Sequence, residues 1–419
     1  MTVTREPSTA TRPGRAALDR LRLLGPAFVA AIAYVDPGNV ATNTAAGAGF
    51  GYLLLWVLVG ATVMAGLVQY LSAKVGLLTG RSLPELVGQR NRRGARVAYW
   101  LQAEAVAMAT DLAEVVGGSV ALQLLFGLPP VAGAVVVVVV STTLLLAQDR
   151  LGQRTFERVI TGLLGIVTLG FLAGLVFSPP DPVGVASGLL PRLEGTDSVL
   201  LAVGILGATV MPHAIYLHSA LVRDRHGSLD AAGVRRLLPA VRLDVVLAML
   251  VAGGVNVGML LLAADALSGR PEAVAAADGL QAAHAAIGAV LGPVIATCFA
   301  LALLASGLAS TSVGGYAGAV IMSGLLHRRL PVLVRRLVTA VPALVLLAVG
   351  LDPTRMLIIS QVVLSFGLPF ALVPLIRIAG DRRLLAAAPT RRVTLGLGWL
   401  VVGLVSLLNV ALIVLTVVG

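Results

Sequence analysis

The chain has 419 residues, of which 58% are hydrophobic and only 12% charged, with a formal net charge of +11. A soluble domain carries about a quarter charged residues, so an ordinary soluble enzyme is excluded and lipid must be the solvent for most of the surface. A single cysteine, Cys298, excludes an intramolecular disulfide, and no Cys/His cluster has zinc spacing.

In chain order, residues 1–22 form a polar, Arg-bearing arm that runs into an apolar stretch without a small-residue cleavage site, so the first span is expected to be retained. Apolar runs long enough to cross a bilayer then recur at 23–50, 53–75, 97–126, 130–148, 159–178, 198–222, 243–264, 290–320, 337–350, 356–376 and 393–418. The ninth is short, with Arg335 and Arg336 in its first turn. Placing the arm inside, every second loop collects the basic residues: of 31 Lys and Arg, only Arg192, Arg270 and Arg355 fall outside the inner side. This alternation supports both the eleven spans and a multi-pass arrangement in the cytoplasmic membrane with a cytoplasmic N-terminus, and it accounts for the positive charge without nucleic acid. The stretch 265–289 is long enough for a surface helix outside the membrane. No segment is suited to a separate soluble domain, and no G-x-x-x-x-G-K-[ST] phosphate loop marks an ATP-driven pump.

Two spans are interrupted. Span one contains Ala33-Tyr34-Val35-Asp36-Pro37-Gly38-Asn39, and span six contains Ala208-Thr209-Val210-Met211-Pro212-His213. Proline removes a backbone donor and clashes with the preceding turn, and unwound backbone in a bilayer is tolerated only where protein or water covers it. A lone proline would read as a kink; here a carboxylate and an amide accompany the first break, and a thioether and an imidazole the second. Breaks five spans apart predict two inverted five-helix repeats, 23–178 and 198–376, with 393–418 as an added eleventh helix.

The breaks point to a cation. Intramembrane acids are costly and are usually functional, so Asp36 with the Asn39 amide oxygen and freed carbonyls reads as an oxygen site. Alone it would suit Na⁺, Ca²⁺ or Mg²⁺. Met211 shifts the expectation toward Mn²⁺, Fe²⁺, Co²⁺ or Cd²⁺, because a thioether is a soft ligand. Gln361 in span ten is equally suited to interhelical hydrogen bonding and to completing a coordination shell. Glu104, Asp111 and Glu114 recur at spacings of seven and three in span three, which puts three acids on one helical face. Their expected use is a wet proton path, with Arg335 and Arg336 as counter-charge. His213 and His218 in span six can also take up protons, although for His218 a satisfied interhelical hydrogen bond is the slightly favoured reading.

These residues resemble the Nramp family of proton-coupled divalent metal transporters. The resemblance rests on Asp36-Pro37-Gly38-Asn39, Thr110-Asp111-Leu112-Ala113-Glu114, Met211-Pro212-His213, Asn256, and Ser360-Gln361-Val362 followed by Leu368-Pro369-Phe370. It implies an all-α fold like that of the amino-acid/sodium symporters. It implies metal held by Asp36, Asn39, Met211 and the carbonyls of Ala33 and Ala208, with Gln361 joining in some states. It implies a proton route through His213, Glu104, Asp111 and Glu114 toward Arg335 and Arg336, and import driven by the inward proton gradient. Leu308 and Ala309 stand where the family commonly has Gln and Ser, which leaves the ligands intact but bears on gating. No bound cofactor and no enzymatic activity are expected, only transported metal and protons, in a monomer. The competing readings are an amino-acid symporter of the same fold, against which Asp36 and Met211 argue, an intramembrane metalloenzyme, for which no His-Glu-x-x-His exists, and a channel, for which no repeated filter loops exist.

Overall fold

The computed structural model describes residues 25–151, 153–269, 279–328 and 331–418. The N-terminal arm 1–22, Arg270, Arg329 and the side chains of Arg150 and Arg154 lie outside what is described. Among the described residues all regular structure is helical.

The first span is split. Helix α1 (Pro26–Ile32) passes into one 3-10 turn, Ala33–Val35, and α2 (Pro37–Phe50) restarts beyond Asp36. Next come α3 (Leu55–Thr79), a short α4 (Leu83–Arg90), α5 (Arg93–Phe126), α6 (Pro130–Leu151) and α7 (Gln153–Phe177). After the short α8 (Pro182–Gly188) the sixth span is split as expected, into α9 (Gly195–Thr209) and α10 (Pro212–His226). The chain continues with α11 (Ala231–Ala266), α12 (Leu280–Leu291), α13 (Pro293–Leu326), α14 (Val332–Ala348), α15 (Pro353–Ala379) and α16 (Arg392–Val418). All eleven apolar runs are helical, and eight helical stretches among the described residues are long and apolar enough to cross a membrane, counting α9 and α10 as one.

Local chemistry sets several of these boundaries. Asp36 caps α2 through its side chain, with Pro37 at the first helical position. Ser82 and Glu85 form a reciprocal capping box at α4. Gly80 ends α3 at φ 60° and Gly127 ends α5 at φ 68°, left-handed conformations that favour glycine. The ninth span begins at Val332, five residues before the apolar run at 337, so Arg335 closes its first turn and Arg336 opens the second. Of the stretch 265–289 expected to hold a surface helix, residues 270–278 lie outside what is described; α12 begins at Leu280, where Thr354 Oγ1 accepts the backbone N–H at 3.0 Å, and extends past 289. Two short helices, α4 and α8, lie in connections read as loops.

The packing is internally paired in the way two inverted repeats require. Span three packs on span ten, and span eight on span five; span one packs on span seven, and span six on span two; span three meets span nine, and span eight meets span four. Two close approaches repeat the same relation. A Cβ at Gly47 would lie 2.4 Å from the Leu260 carbonyl oxygen, and one at Gly76 would lie 2.2 Å from that of Ser219. Glycine therefore lets α2 reach α11 and α3 reach α10 with backbones in contact. The broken spans sit at the centre: Tyr34, Asp36, Asn39, Ala208 and Met211 are all buried. Large apolar side chains face outward instead on α3, α7, α11, α14 and α16, including Val63, Leu169, Leu250, Val345 and Leu407.

Candidate metal-binding site

Each break exposes backbone that the surrounding helices take up in part. In the first, Asn256 Nδ2 donates to the Tyr34 carbonyl at 2.6 Å and Ser306 Oγ donates to the Val35 carbonyl at 2.5 Å. Asn43 Nδ2 in turn donates to Asn256 Oδ1 at 3.0 Å, fixing that amide's orientation. Spans seven and eight thus hold the unwound strand in place, and sequence reasoning had assigned neither Ser306 nor Asn43 a part in it. The available signal was a polar residue facing inward on an otherwise apolar span, which becomes informative only once the facing backbone is known.

Asp36 closes the break from below α2. Its Oδ1 accepts from Asn39 N at 2.7 Å and from Asn39 Nδ2 at 2.8 Å. The same Nδ2 donates to the Ala208 carbonyl at 3.0 Å, which joins the first break to the second. Gln361 on α15 lies between them. A Cβ at Gly38 would sit 1.8 Å from Gln361 Nε2, and one at Gly207 would sit 1.9 Å from the Gln361 carbonyl oxygen. Met211 is fully buried at the start of α10, three residues beyond Ala208.

What these groups leave unsatisfied is informative. Among the described residues Asp36 Oδ2, Asn39 Oδ1 and Gln361 Oε1 are buried and have no hydrogen-bond partner, and neither has Thr209 Oγ1 beside the second break. A buried polar group without a partner costs about 1–3 kcal/mol, so three acceptors left open around one junction are a feature that needs a donor or a cation. Three oxygens, one anionic, with a buried thioether nearby match a borderline divalent ion. Among the described residues no group of three His, Cys, Asp or Glu is placed to hold a metal. The donor set gathered here is of another kind, with a single carboxylate beside amides, backbone carbonyls and a thioether.

The acid row lies on the flank of this junction. Asp111 Oδ1 is 2.7 Å from Arg336 Nη1, with both side chains almost fully buried, and Arg336 Nη2 donates to Ser141 Oγ at 3.2 Å. Glu104 Oε1 is 3.5 Å from Arg335 Nη2, whose Nη1 donates to the Gly315 carbonyl at 2.9 Å. Glu114 is buried, and its Oε2 has no hydrogen-bond partner among the described residues. His213 Nδ1 lies 3.4 Å from Thr110 Oγ1, the residue before Asp111, and so connects the second break to the row. His218 stands apart. Its Nδ1 is 2.6 Å from Gln69 Oε1, and Gln69 hydrogen-bonds the Tyr34 hydroxyl, so this histidine makes the interhelical bond between α10 and α3.

Paired repeats, two mid-membrane helix breaks and a buried cluster of open ligands define a multi-pass membrane transporter of the inverted-repeat class. The family model described as Nramp, natural resistance-associated macrophage protein-like, matches residues 27–415. A divalent metal cation transporter of Mycobacterium tuberculosis is 59% identical over 398 residues, covering 95% of this chain and 92% of that protein. One of the same description from Bacillus subtilis is 44% identical over 395 residues, covering 94% and 92%. Among solved structures, a manganese transporter of Eremococcus coleocola superposes with a TM-score of 0.84 at 30% identity, covering 97% of this chain and 87% of that one. A nucleobase-cation-symport-1 family transporter in a closed conformation superposes with a TM-score of 0.56 at 14% identity, a likeness of fold alone. The chain belongs to the Nramp family.

Proposed function

We propose that this Nramp-family divalent metal cation transporter imports Mn²⁺ by proton symport, accepts Fe²⁺, Co²⁺ and Cd²⁺ at the same site, and works as a monomer in the cytoplasmic membrane with its N-terminus inside. The observation that carries the reading is the trio of unpartnered oxygens, Asp36 Oδ2, Asn39 Oδ1 and Gln361 Oε1, gathered at the junction of two broken helices. The similarity to divalent metal cation and manganese transporters favours the same substrate class.

In this mechanism Asp36 supplies the charge, Asn39 and Gln361 supply neutral oxygens, and the carbonyls of Ala33 and Ala208 complete the shell with the Met211 sulfur. An ion at the junction attracts the Asn39 carbonyl oxygen and repels its amide protons. Binding therefore exchanges the Asn39–Ala208 hydrogen bond for two metal–oxygen contacts. The two half-helices are then held by the ion instead of by the amide, which couples occupancy to their relative position. Protons travel separately, from His213 past Thr110 to Asp111 and Glu114, and on to Glu104, with Arg335 and Arg336 holding the acids' charge inside the membrane.

The test is uptake of Mn²⁺ into proteoliposomes with and without an inward proton gradient, with internal pH recorded in parallel. Accumulation against the Mn²⁺ gradient, accompanied by internal acidification, is expected. Uptake indifferent to the proton gradient would overturn the coupling, and absence of Mn²⁺ uptake would overturn the substrate.

A further inference from the structure

Away from the transport junction, a cavity of about 420 Å³ opens between α3, α11 and the connection joining α15 to α16. Three cations line it, Lys74, Arg242 and Arg391, together with Tyr70, Thr390 and Thr394, and no carboxylate among the described residues does. Lys74 is almost fully buried, only 4% exposed, and Thr390 Oγ1, at 3.1 Å from its Nζ, is its single hydrogen-bond partner among the described residues. An ammonium carries three donors, so a buried lysine beside two arginines is built for an anion rather than for one hydroxyl.

The cavity continues into a second one. An apolar groove of about 350 Å³ runs along α3 and α11, and Tyr70 and Arg242 line both spaces. Its walls include Val63, Gly66, Val246, Met249 and Leu250. Val63 is 70% and Leu250 66% exposed, on faces of membrane-spanning helices where the neighbour is the bilayer. The basic end lies where α3 finishes, on the side that gathers the Arg-rich loops. One amphipathic shape thus presents a cationic head pocket at the membrane boundary and an apolar channel leading inward.

We infer that this paired cavity binds an anionic phospholipid of the leaflet facing the basic loops, with the phosphate held by Lys74, Arg242 and Arg391 and an acyl chain lying in the groove between α3 and α11. The charge complementarity selects an anionic over a zwitterionic headgroup, because a choline or ethanolamine cation would meet three like charges. The bound lipid ties α3 to α11, and these two helices carry the backbone contacts that grip the broken spans, Gly76 against Ser219 and Gly47 against Leu260.

The experiment reconstitutes the full chain in phosphatidylcholine nanodiscs with graded phosphatidylglycerol and counts retained lipid by native mass spectrometry. Selective retention of phosphatidylglycerol is expected. A basic residue at a membrane surface contributes about 1 kcal/mol toward anionic lipid, so Arg391→Gln should weaken the preference about fivefold, and Lys74→Gln with Arg391→Gln about thirtyfold. Arg391 is exposed in a connection, so its variant keeps the test open if Lys74→Gln does not fold. Gly66→Leu fills the groove, where a new Cβ is 3.9 Å from its nearest neighbour, Met249 Cγ. That variant should lose phosphatidylglycerol retention while leaving the weak binding of inorganic phosphate unchanged. Equal retention of both lipids by the wild type would overturn the site. So would full retention in the charge variants. Inorganic phosphate binding as tightly as the lipid, with Gly66→Leu silent, would make it a phosphate site and overturn the lipid assignment.

Discussion

The Asn39 side-chain amide bridges the two helix breaks, donating to Asp36 Oδ1 at 2.8 Å and to the Ala208 carbonyl at 3.0 Å. One small side chain thereby keeps the only carboxylate of the junction and an expected carbonyl ligand in register, while its own oxygen stays free of hydrogen bonds. In the proposed function a cation that takes up both Asn39 Oδ1 and the Ala208 carbonyl displaces the amide N–H from that carbonyl, so metal binding and release of the link between the half-helices become one event.

Asp36→Ala removes the only anionic ligand of the proposed site and should abolish Mn²⁺ uptake in a protein that still folds and inserts. Asn39→Ala keeps the charge but loses both the neutral oxygen and the bridge, and should lower Mn²⁺ affinity by about tenfold to a hundredfold, as loss of one ligand or its orienting partner commonly does. Mn²⁺ binding by calorimetry on purified protein checks both. Asp36→Ala protein that binds Mn²⁺ as the wild type does would remove Asp36 from the site.

In the proposed function Met211 sets selectivity. Every other expected ligand is oxygen, and oxygen sites favour the abundant Mg²⁺ and Ca²⁺. Met211→Ala should retain Mn²⁺ transport, admit Ca²⁺ or Mg²⁺ as competitor or substrate, and lose most affinity for Cd²⁺, the softest ion. Uptake of Mn²⁺ and Cd²⁺ against rising Ca²⁺ and Mg²⁺ decides it. A variant still indifferent to millimolar Ca²⁺ and Mg²⁺, with Cd²⁺ binding intact, would show that Met211 only packs.

Coupling should separate from metal movement on α5. Asp111→Asn and Glu114→Gln should reduce proton flux more than Mn²⁺ flux, because neither acid belongs to the junction of Asp36, Asn39 and Gln361. Arg336→Gln leaves the Asp111 carboxylate without its cation at 2.7 Å; breaking a buried pair in this way costs about 3–5 kcal/mol if the charge persists. The expected outcome is a lowered thermal unfolding temperature together with weakened coupling. Proton and metal fluxes falling in strict proportion in all three variants would contradict a separate path.

Gly207→Ala tests the closeness of α9 and α15. Its Cβ would stand 1.9 Å from the Gln361 carbonyl, a backbone atom that cannot rotate away. The helices must separate, Gln361 must leave the junction, and Mn²⁺ affinity should fall at least tenfold. Asn256→Ala is the contrasting change. It strands the Tyr34 carbonyl and the Asn43 amide, at about 1–3 kcal/mol for each unsatisfied group, so stability should fall before affinity does. Thermal unfolding followed with and without Mn²⁺ distinguishes the two.

Hydropathy and charge placement, with a proline inside each of two apolar runs, determined from the sequence alone that this chain crosses a membrane many times and that spans one and six break. A proline inside an apolar run leaves backbone that lipid cannot satisfy, and that conflict is local, so the sequence carries it in full. The acid row was legible for a similar reason: helical periodicity puts Glu104, Asp111 and Glu114 on one face whatever lies opposite. Tertiary structure alone decided which partners face these groups. It set Arg336 on Asp111 and Arg335 on Glu104, separated His218 from the row by pairing it with Gln69, and assigned Asn256 and Ser306 to the carbonyls of Tyr34 and Val35. Those relations join residues far apart in the chain, through glycine-permitted backbone contacts whose distances depend on packing. A hydrogen bond needs its two atoms within about 3.2 Å, and no one-dimensional pattern specifies that separation between residues on different helices.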